Sequence, residues 1–104
     1  MVYNVIVRDD VYAEVLEAHL YYESKSEGLG NRFLNSLKVS FDKLAVHPGY
    51  YSILSSNNKH VYMDVKVKDF PYVVIFTINE KNVVVYAVHN THKRLSSRYK
   101  RKNL

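Results

Sequence analysis

Residues 61–92 constrain the fold of this chain most strongly, because they predict three consecutive β-strands separated by short turns. The stretch is rich in Val, Ile, Tyr and Phe, which fit the pleated, half-buried surface of a sheet. Apolar residues alternate with mostly polar ones from Val61 to Val67, which indicates one buried and one wet face. Tyr72 to Ile78 is apolar on both faces except at Thr77, as in a strand at the centre of a sheet. Val83 to Val88 predicts the third strand.

The residues before this stretch predict one more strand and a pair of helices. Residues 2–8 are β-branched and alternate loosely, which is typical of a strand. From Val11 the apolar residues follow the helical period instead. Residues 28–30, Gly-Leu-Gly, interrupt that period. The second helix is expected to end by His47, because Pro48 disfavours a helical conformation in the residue before it. Two helices joined by such a short turn form an antiparallel hairpin.

Each predicted helix carries an apolar stripe that is expected to face the sheet. The stripe of the first helix consists of Tyr12, Val15, Leu16, His19 and Leu20. The stripe of the second helix consists of Phe33, Leu34, Leu37, Phe41 and Leu44. Residues 50–59 contain many turn formers and are expected to be a loop. The sequence therefore predicts an α+β fold in the order β-α-α-β-β-β, with the helical hairpin packed on one face of a mostly antiparallel four-stranded sheet. The direction of the first strand is left open.

Composition indicates a single globular domain over residues 1–104, with 47% hydrophobic and 24% charged residues. The chain has no cysteine, which excludes disulfide bonds and thiolate metal sites. His47 and His60 have no partner at a metal-ligand spacing, so we expect neither a metal nor a cofactor. We find no long apolar run and no signal-peptide pattern, and we therefore expect a cytoplasmic protein without a membrane partner.

The C-terminal tail, residues 93–104, is strongly basic. Six of the fifteen Lys and Arg residues lie between Lys93 and Lys102 without any acid, and the net charge of the chain is +5. A basic segment favours phosphates or an acidic protein partner. It is equally typical of a solvated tail that keeps a protein soluble. Ser96 to Lys102 can form a short C-terminal helix, although these residues have no apolar stripe.

Three local motifs occur in an order that is similar to one protein family. Residues 19–37, HLYYESKSEGLGNRFLNSL, place tyrosines at the end of the first helix and glycines at the start of the second. Residues 69–76, DFPYVVIF, open a strand with Phe-Pro-Tyr. Residues 85–92, VYAVHNTH, end the last strand with a histidine. Together they resemble the RelE/ParE superfamily of bacterial type II toxins, which includes proteins described as plasmid stabilisation proteins. The resemblance covers nearly the whole chain.

The resemblance implies a small toxin that a cognate antitoxin binds and neutralises. It leaves the target open. RelE-type members cleave mRNA, usually on the ribosome, whereas ParE-type members are not nucleases and inhibit DNA gyrase. Other members have lost obvious activity. The expected partners are therefore the antitoxin and either ribosome-bound mRNA or DNA gyrase, and the oligomeric state is left open.

The chain departs from the family pattern at two arginines. The family commonly has an arginine near the position of Tyr62 or Met63, but there is none between Arg32 and Arg94. The arginine that follows the last-strand histidine in the family falls where His92 stands. These departures weaken the transfer of a ribonuclease site to this chain.

His89 and His92 are the candidate catalytic residues. RNA cleavage without a metal needs a base, an acid and cations that stabilise the charge on phosphorus. Histidine suits the acid and base roles because its ordinary pKa lies near 6.5. By its odd position, His89 is expected to share the face of Val83, Val85 and Ala87. The alternative is a strand-end histidine bonded to backbone, followed by an exposed one in a loop.

The candidate substrate-binding residues are all basic or aromatic. Lys66 and Lys68 share one face of their predicted strand and could hold a phosphate, or they could simply face solvent or protect a sheet edge. Arg94, Arg98 and Tyr99 could contribute phosphate contacts and base stacking from the tail. The tail could equally stay mobile until an antitoxin orders it.

The sequence leaves three functions to be distinguished. An endoribonuclease toxin predicts a concave basic surface lined by Lys66, Lys68, His89 and Arg94, with the two histidines close together. A ParE-like gyrase inhibitor predicts no acid and base pair on that surface, and an inactive toxin-like protein predicts only antitoxin binding. In each case the antitoxin is expected to add a helix or strand to an apolar groove or sheet edge.

Overall fold

The computed structural model describes residues 2–51, 53–56 and 61–94 of the chain. A strand is followed by two helices, a short 3₁₀ helix and four more strands. Their bounds in chain order are Asn4–Val7 (β1), Asp9–Lys25 (α1), Leu29–Val46 (α2), Pro48–Tyr50 (3₁₀), Ile53–Ser56 (β2), Val61–Lys66 (β3), Tyr72–Asn79 (β4) and Asn82–Asn90 (β5). None of the helices in these ranges is long and apolar enough to cross a membrane.

The strands form one sheet in the order β1-β5-β4-β3-β2. β2 to β5 pair antiparallel, whereas β1 lies parallel to β5 at one edge, with Val5 beside Val83. The predicted α+β architecture with a helical hairpin is confirmed. The sheet has a fifth strand, β2, in a segment that was expected to be a loop. The loop was expected because Ser55 and Ser56 are turn formers, but both residues pair with β3, in an irregular register. The helix expected over residues 96–102 lies outside the described residues.

Helix α1 buries a different face from the predicted one. Tyr12, Leu16 and Leu20 are 60%, 56% and 57% exposed. The side that packs against the sheet is made by Val11, Val15, Ala18 and Tyr22, of which only Val15 belongs to the predicted stripe. α1 therefore has two apolar stripes, and periodicity alone could not decide which of them is buried.

Helix α2 buries the predicted stripe and ends where Pro48 required it to end. Phe33, Leu37 and Leu44 are buried in the core. Leu34 and Phe41, the other two residues of the stripe, are partly buried and pack against the same core. The α2 stripe has no apolar competitor of comparable length on the opposite side of the helix, so the pattern was unambiguous.

The helices approach each other closely at the start of α2. The Glu23 carboxylate accepts hydrogen bonds from the backbone N–H groups of Gly28 and Gly30, both at 3.0 Å. These bonds lower the pKa of Glu23, because they stabilise its charged form. Gly28 has a φ of 85°, which favours glycine, and it directly precedes the first residue of α2. The carboxylate thus caps the first turn of α2 and joins it to α1.

Strand β5 contains a β-bulge that reverses its side-chain alternation. Two consecutive residues of β4 pair with Val85 and Ala87, so Tyr86 is an additional residue in β5. Val85 and Val88 both pack in the core beneath the helices, whereas Ala87 lies on the opposite face. We call that opposite face the distal face. His89 follows Ala87 onto the distal face, so the expectation that it shares the face of Val85 is wrong.

Candidate functional site

The strand register places Lys66 and His89 in one row across the distal face. Lys66 pairs with Val73 across β3 and β4, and Val73 pairs with His89 across β4 and β5. Two strand spacings of about 4.8 Å separate the two backbones by about 10 Å. Lys66 is exposed and His89 is half-buried. One predicted phosphate-binding residue and one predicted catalytic residue therefore lie at the same level of the sheet.

The two histidines have different surroundings. The Nε2 atom of His89 lies 3.1 Å from the carbonyl oxygen of Lys93, so it donates a hydrogen bond in the tautomer that carries a proton there. His92 is exposed in the turn after β5, and its backbone N–H donates to the Asn90 side chain at 2.9 Å. This arrangement corresponds to the alternative of one backbone-bound and one exposed loop histidine.

The turn that carries His92 is fastened to the Phe-Pro-Tyr segment. The backbone N–H and the hydroxyl of Thr91 both donate to the carbonyl oxygen of Pro71, at 2.8 and 3.1 Å. The backbone N–H of Lys93 donates to the carbonyl of Asn90 at 3.0 Å, which closes the turn. The resembling motifs around residues 69–76 and 85–92 are thus in direct contact, and each holds the other in place.

A cleft of about 710 Å³ lies between α1 and the end of β5. It exists because β1 ends at Val7, so that beyond Val85 no strand of the described residues pairs with this edge of β5. Glu14 of α1 occupies this edge, since its carboxylate accepts the backbone N–H of Val88 at 3.1 Å. His89, His92 and Lys93 line this cleft, but so do the carboxylates of Glu14 and Glu17. Two carboxylates make the cleft unfavourable for a phosphate.

Glu14 is a titratable group of this cleft whose pKa departs from its ordinary value. Although the residue is exposed overall, partial burial of its carboxylate raises the pKa of Glu14. The bond from Val88 and the proximity of His89 oppose this shift, whereas the negative charges of Asp10 and Glu17 add to it. A carboxylate in such a position is less stable in its charged form than it would be in water.

The remaining candidates are spread over the surface around the row of Lys66 and His89. Lys68 lies in the turn after β3 rather than on the strand, and with Lys66 it lines a cavity of about 410 Å³ beside Asp69. Lys93 lies 3.9 Å from Glu17. Arg94 is exposed at the end of the described residues. The predicted positions Arg98 and Tyr99 lie outside the described part of the chain.

Sequence reasoning missed a cation on the distal side of the sheet. The guanidinium of Arg8 lies 4.9 Å from the centre of the Tyr86 ring, and that ring lies 5.4 Å from the ring of Tyr62. Arg8, which lies between β1 and α1, therefore brings a positive charge next to the aromatic rings of the distal face. No spacing in the sequence indicates this contact, because it depends on the parallel pairing of β1 with β5.

A half-buried carboxylate accompanies these groups on the distal face. Asp64 pairs with Ile75 in the β3–β4 ladder, two residue pairs away from Lys66 and Val73. Burial raises the pKa of Asp64, and a hydrogen bond from its own backbone partly opposes the shift. The distal face therefore combines aromatic, basic and acidic groups rather than presenting a uniformly basic surface.

Comparisons with known proteins support the fold. No protein-family model matches the sequence, and no curated protein matches it. A chain of the solved structure "Chromosomal ParDE TA system from P. aeruginosa" has a similar fold, with a TM-score of 0.69 and 9% sequence identity. The similarity covers 86% of this chain and 96% of that chain. The fold expected from the resemblance is therefore confirmed by this structural neighbour, and at 9% identity the similarity concerns the fold alone.

Proposed function

We propose that this chain is the toxin component of a toxin–antitoxin pair, and that it inhibits growth by binding a target in a nucleic-acid process. The observation that carries the proposal is the fold shared with a chain of the ParDE system over nearly the full length of both chains. The three sequence motifs also support it. Two of them, residues 69–76 and 85–92, contact each other through Thr91 and Pro71. An antitoxin is then the expected partner.

The surroundings of the histidines favour action by binding over RNA cleavage. Cleavage needs a base and an acid on either side of a phosphate that cations hold. The Nε2 atom of His89 is engaged with a backbone carbonyl, and the cleft that both histidines line also contains two carboxylates. Lys93 is the one lysine or arginine among the described residues that line the cleft, and its charge is opposed by the carboxylates of Glu14 and Glu17. This supports the ParE-like alternative, in which the target is DNA gyrase.

A second candidate is the metal-independent endoribonuclease. The row of Lys66, Val73 and His89 favours it, because a lysine side chain can extend toward a phosphate that contacts His89. Arg8 above Tyr86 adds a cation and an aromatic ring on the same face, which suit a nucleotide. In this candidate only His89 takes part in the chemistry, and His92 does not.

The antitoxin has an available docking surface on the outer side of α1. Tyr12, Leu16 and Leu20 lie one turn apart along the helix, and each is more than half exposed. Large apolar side chains in a row on a helix surface are typical of a protein-binding site. The stripe that was expected to lie in the core is thus exposed, and it can bind the expected partner, the antitoxin.

Controlled expression in bacteria tests the proposal. The wild-type chain, the double variant His89→Ala/His92→Ala and the control His47→Ala are expressed from a tight promoter. His47 is an exposed histidine at the end of α2, far in sequence from the candidate site. Translation, mRNA integrity and DNA synthesis are followed separately after induction.

We expect the wild type and both variants to stop growth, with DNA synthesis falling first and mRNA intact. If mRNA is cut within minutes by the wild type and the control but not by the double variant, the chain is an endoribonuclease and action by binding is wrong. If none of the three inhibits growth, the chain shares the fold without the toxicity, and the proposed function is wrong.

A further inference from the structure

Helix α1 is an acidic element in a basic protein. Between Asp9 and Ser24 the sequence contains five acids and neither lysine nor arginine, although the net charge of the chain is +5. The helix therefore differs in charge from the rest of the surface. A partner that binds α1 encounters a negative electrostatic potential, although the net charge of the whole chain is positive.

The acidic residues of α1 form a row beside the exposed apolar stripe. Asp10, Glu14, Glu17 and Tyr21 are spaced by four, three and four positions, which places them along one side of the helix. By the helical period, the stripe of Tyr12, Leu16 and Leu20 is centred about 130° around the helix from this row, and the two come closest at Leu20 and Glu17. A segment that covers the stripe therefore borders the acidic row on the side of Leu20 and Glu17.

The acidic row opens into the cleft at the end of β5. Glu14, Glu17 and Tyr21 belong to its α1 wall, and Tyr22 and Tyr72 contribute further aromatic rings. The Tyr21 ring already contacts a cation, since the Lys25 ammonium lies 5.1 Å from its centre. Carboxylates next to aromatic rings bind a guanidinium or ammonium group by charge attraction and by cation–π contact.

The chain itself does little to neutralise these carboxylates. Glu14 makes no ion pair with any described residue. Glu17 lies 3.9 Å from the Lys93 ammonium, and both side chains are largely exposed, so this pair is weak. Asp10 is 3.4 Å from Arg8 at the far end of the row. The cleft has room for a further cation that approaches from outside.

We propose that the antitoxin segment that docks on α1 is a basic amphipathic helix. Its apolar side chains cover Tyr12, Leu16 and Leu20, and an arginine or lysine side chain enters the cleft beside Glu14 and Glu17. This inference rests on the proposed function, because it specifies the partner that the proposed function requires. It assigns the partner a positive charge even though the toxin is itself basic.

Two synthetic helical peptides test the inference with the full chain. They share the same leucine positions, and one is flanked by arginine while the other is flanked by glutamate. Binding is measured by fluorescence anisotropy to the wild type, to Glu14→Gln/Glu17→Gln and to the control Glu27→Gln. Glutamine at position 14 keeps an acceptor for the Val88 N–H, so the double variant changes charge with little change in structure. Glu27 is an exposed acid in the turn between the helices.

The arginine peptide is expected to bind the wild type and Glu27→Gln equally, and to lose at least about tenfold in affinity for the double variant. The loss is expected to shrink as salt is added. Equal affinity of the two peptides, no binding of either, or an unchanged affinity of the double variant overturns the inference. A wild-type dimer that Leu16→Glu converts to a monomer also overturns it, since a second copy then covers the stripe.

The growth experiment separates this inference from the proposed function. If the chain is toxic but the arginine peptide does not prefer it, the partner chemistry is wrong and the proposed function stands. If the arginine peptide binds as expected but expression does not inhibit growth, α1 is a binding surface for basic helices and the toxin assignment is wrong.

Discussion

At the scale of single residues, the junction of the two helices leaves no space for a side chain at Gly30. A Cβ atom there would lie 2.7 Å from both the carbonyl oxygen and the Nδ1 atom of His19, and 2.9 Å from the Glu23 carboxylate. The carbonyl is part of the backbone of α1 and cannot rotate away. The glycine pair that opens α2 in the family resemblance therefore has a packing reason at Gly30 and a backbone reason at Gly28.

Gly30→Ala is expected to destabilise the protein by about 1–3 kcal/mol, because the clash between the helices outweighs the better helix propensity of alanine. Gly49→Ala is the matched control, since a Cβ there meets nothing within 4 Å and the change is expected to be neutral or slightly stabilising. Urea unfolding of the two variants measures the difference. Equal stability of both variants would show that α1 and α2 can move apart at little cost.

Glu14→Gln is expected to stabilise the isolated protein near neutral pH. Folding raises the pKa of Glu14 above its ordinary value of 4.5, so ionisation of this group weakens the folded state as the pH rises through that range. Glutamine removes the charge and keeps the acceptor for Val88. The gain is expected to vanish below the ordinary value, where both states of Glu14 are protonated.

Urea midpoints of the wild type and of Glu14→Gln, measured at neutral and acidic pH, test this expectation, with Glu27→Gln as the control that should show no such difference. If Glu14→Gln is instead the less stable protein at neutral pH, the charged bond to the Val88 N–H is worth more than the desolvation that it requires.

At the scale of elements, α1 shows what an amphipathic pattern leaves undecided. Its stripe of Tyr12, Leu16 and Leu20 has the correct period for a core face, yet the core lies on the neighbouring side with Val11 and Ala18. The sequence established the helix but not its rotation, because two stripes satisfied the same period. The rotation follows from the position of β5 beneath α1, which is a tertiary contact and not a local preference.

Two leucine-to-alanine substitutions test the observed rotation. Leu16→Ala on the exposed stripe is expected to change the free energy of unfolding by no more than about 0.5 kcal/mol. Leu44→Ala, at a fully buried position of α2, is expected to cost about 2–5 kcal/mol. Chemical unfolding gives both values. A large cost at Leu16 would place the originally predicted stripe in the core after all.

At the scale of the whole molecule, the sequence predicted the last three strands of the sheet but not the pairing of β1 with β5. The three final strands, their turns and the central position of β4 follow from alternation and turn residues between Val61 and Val88. The parallel pairing of β1 with β5 could not be read in the same way, because it joins residues that are almost eighty positions apart. The contact of Arg8 with Tyr86 and the hydrogen bond between Glu14 and Val88 both depend on that pairing, so neither could be predicted from the sequence.

The sheet order predicts a gradient of backbone protection. β4 and β5 have strand neighbours on both sides, whereas β2 is a four-residue edge strand with an irregular register. Amide hydrogen exchange is therefore expected to be slowest in β4 and in the half of β5 that pairs with β1, and fastest in β2 among the described strands. Protection of β2 equal to that of β4 would contradict the edge position.

The bulge at Tyr86 divides β5 into two halves, and odd-numbered residues lie on opposite faces of the sheet in the two halves. The odd positions of its first half, Val83 and Val85, face the packed interior beneath the helices, whereas the odd positions after the bulge, Ala87 and His89, lie on the distal face. Deletion of residue 86 would exchange the faces of Val88 and His89 without altering either side chain. The chemistry of the distal face therefore depends on the presence of the additional residue in β5 as much as on the side chains that lie there.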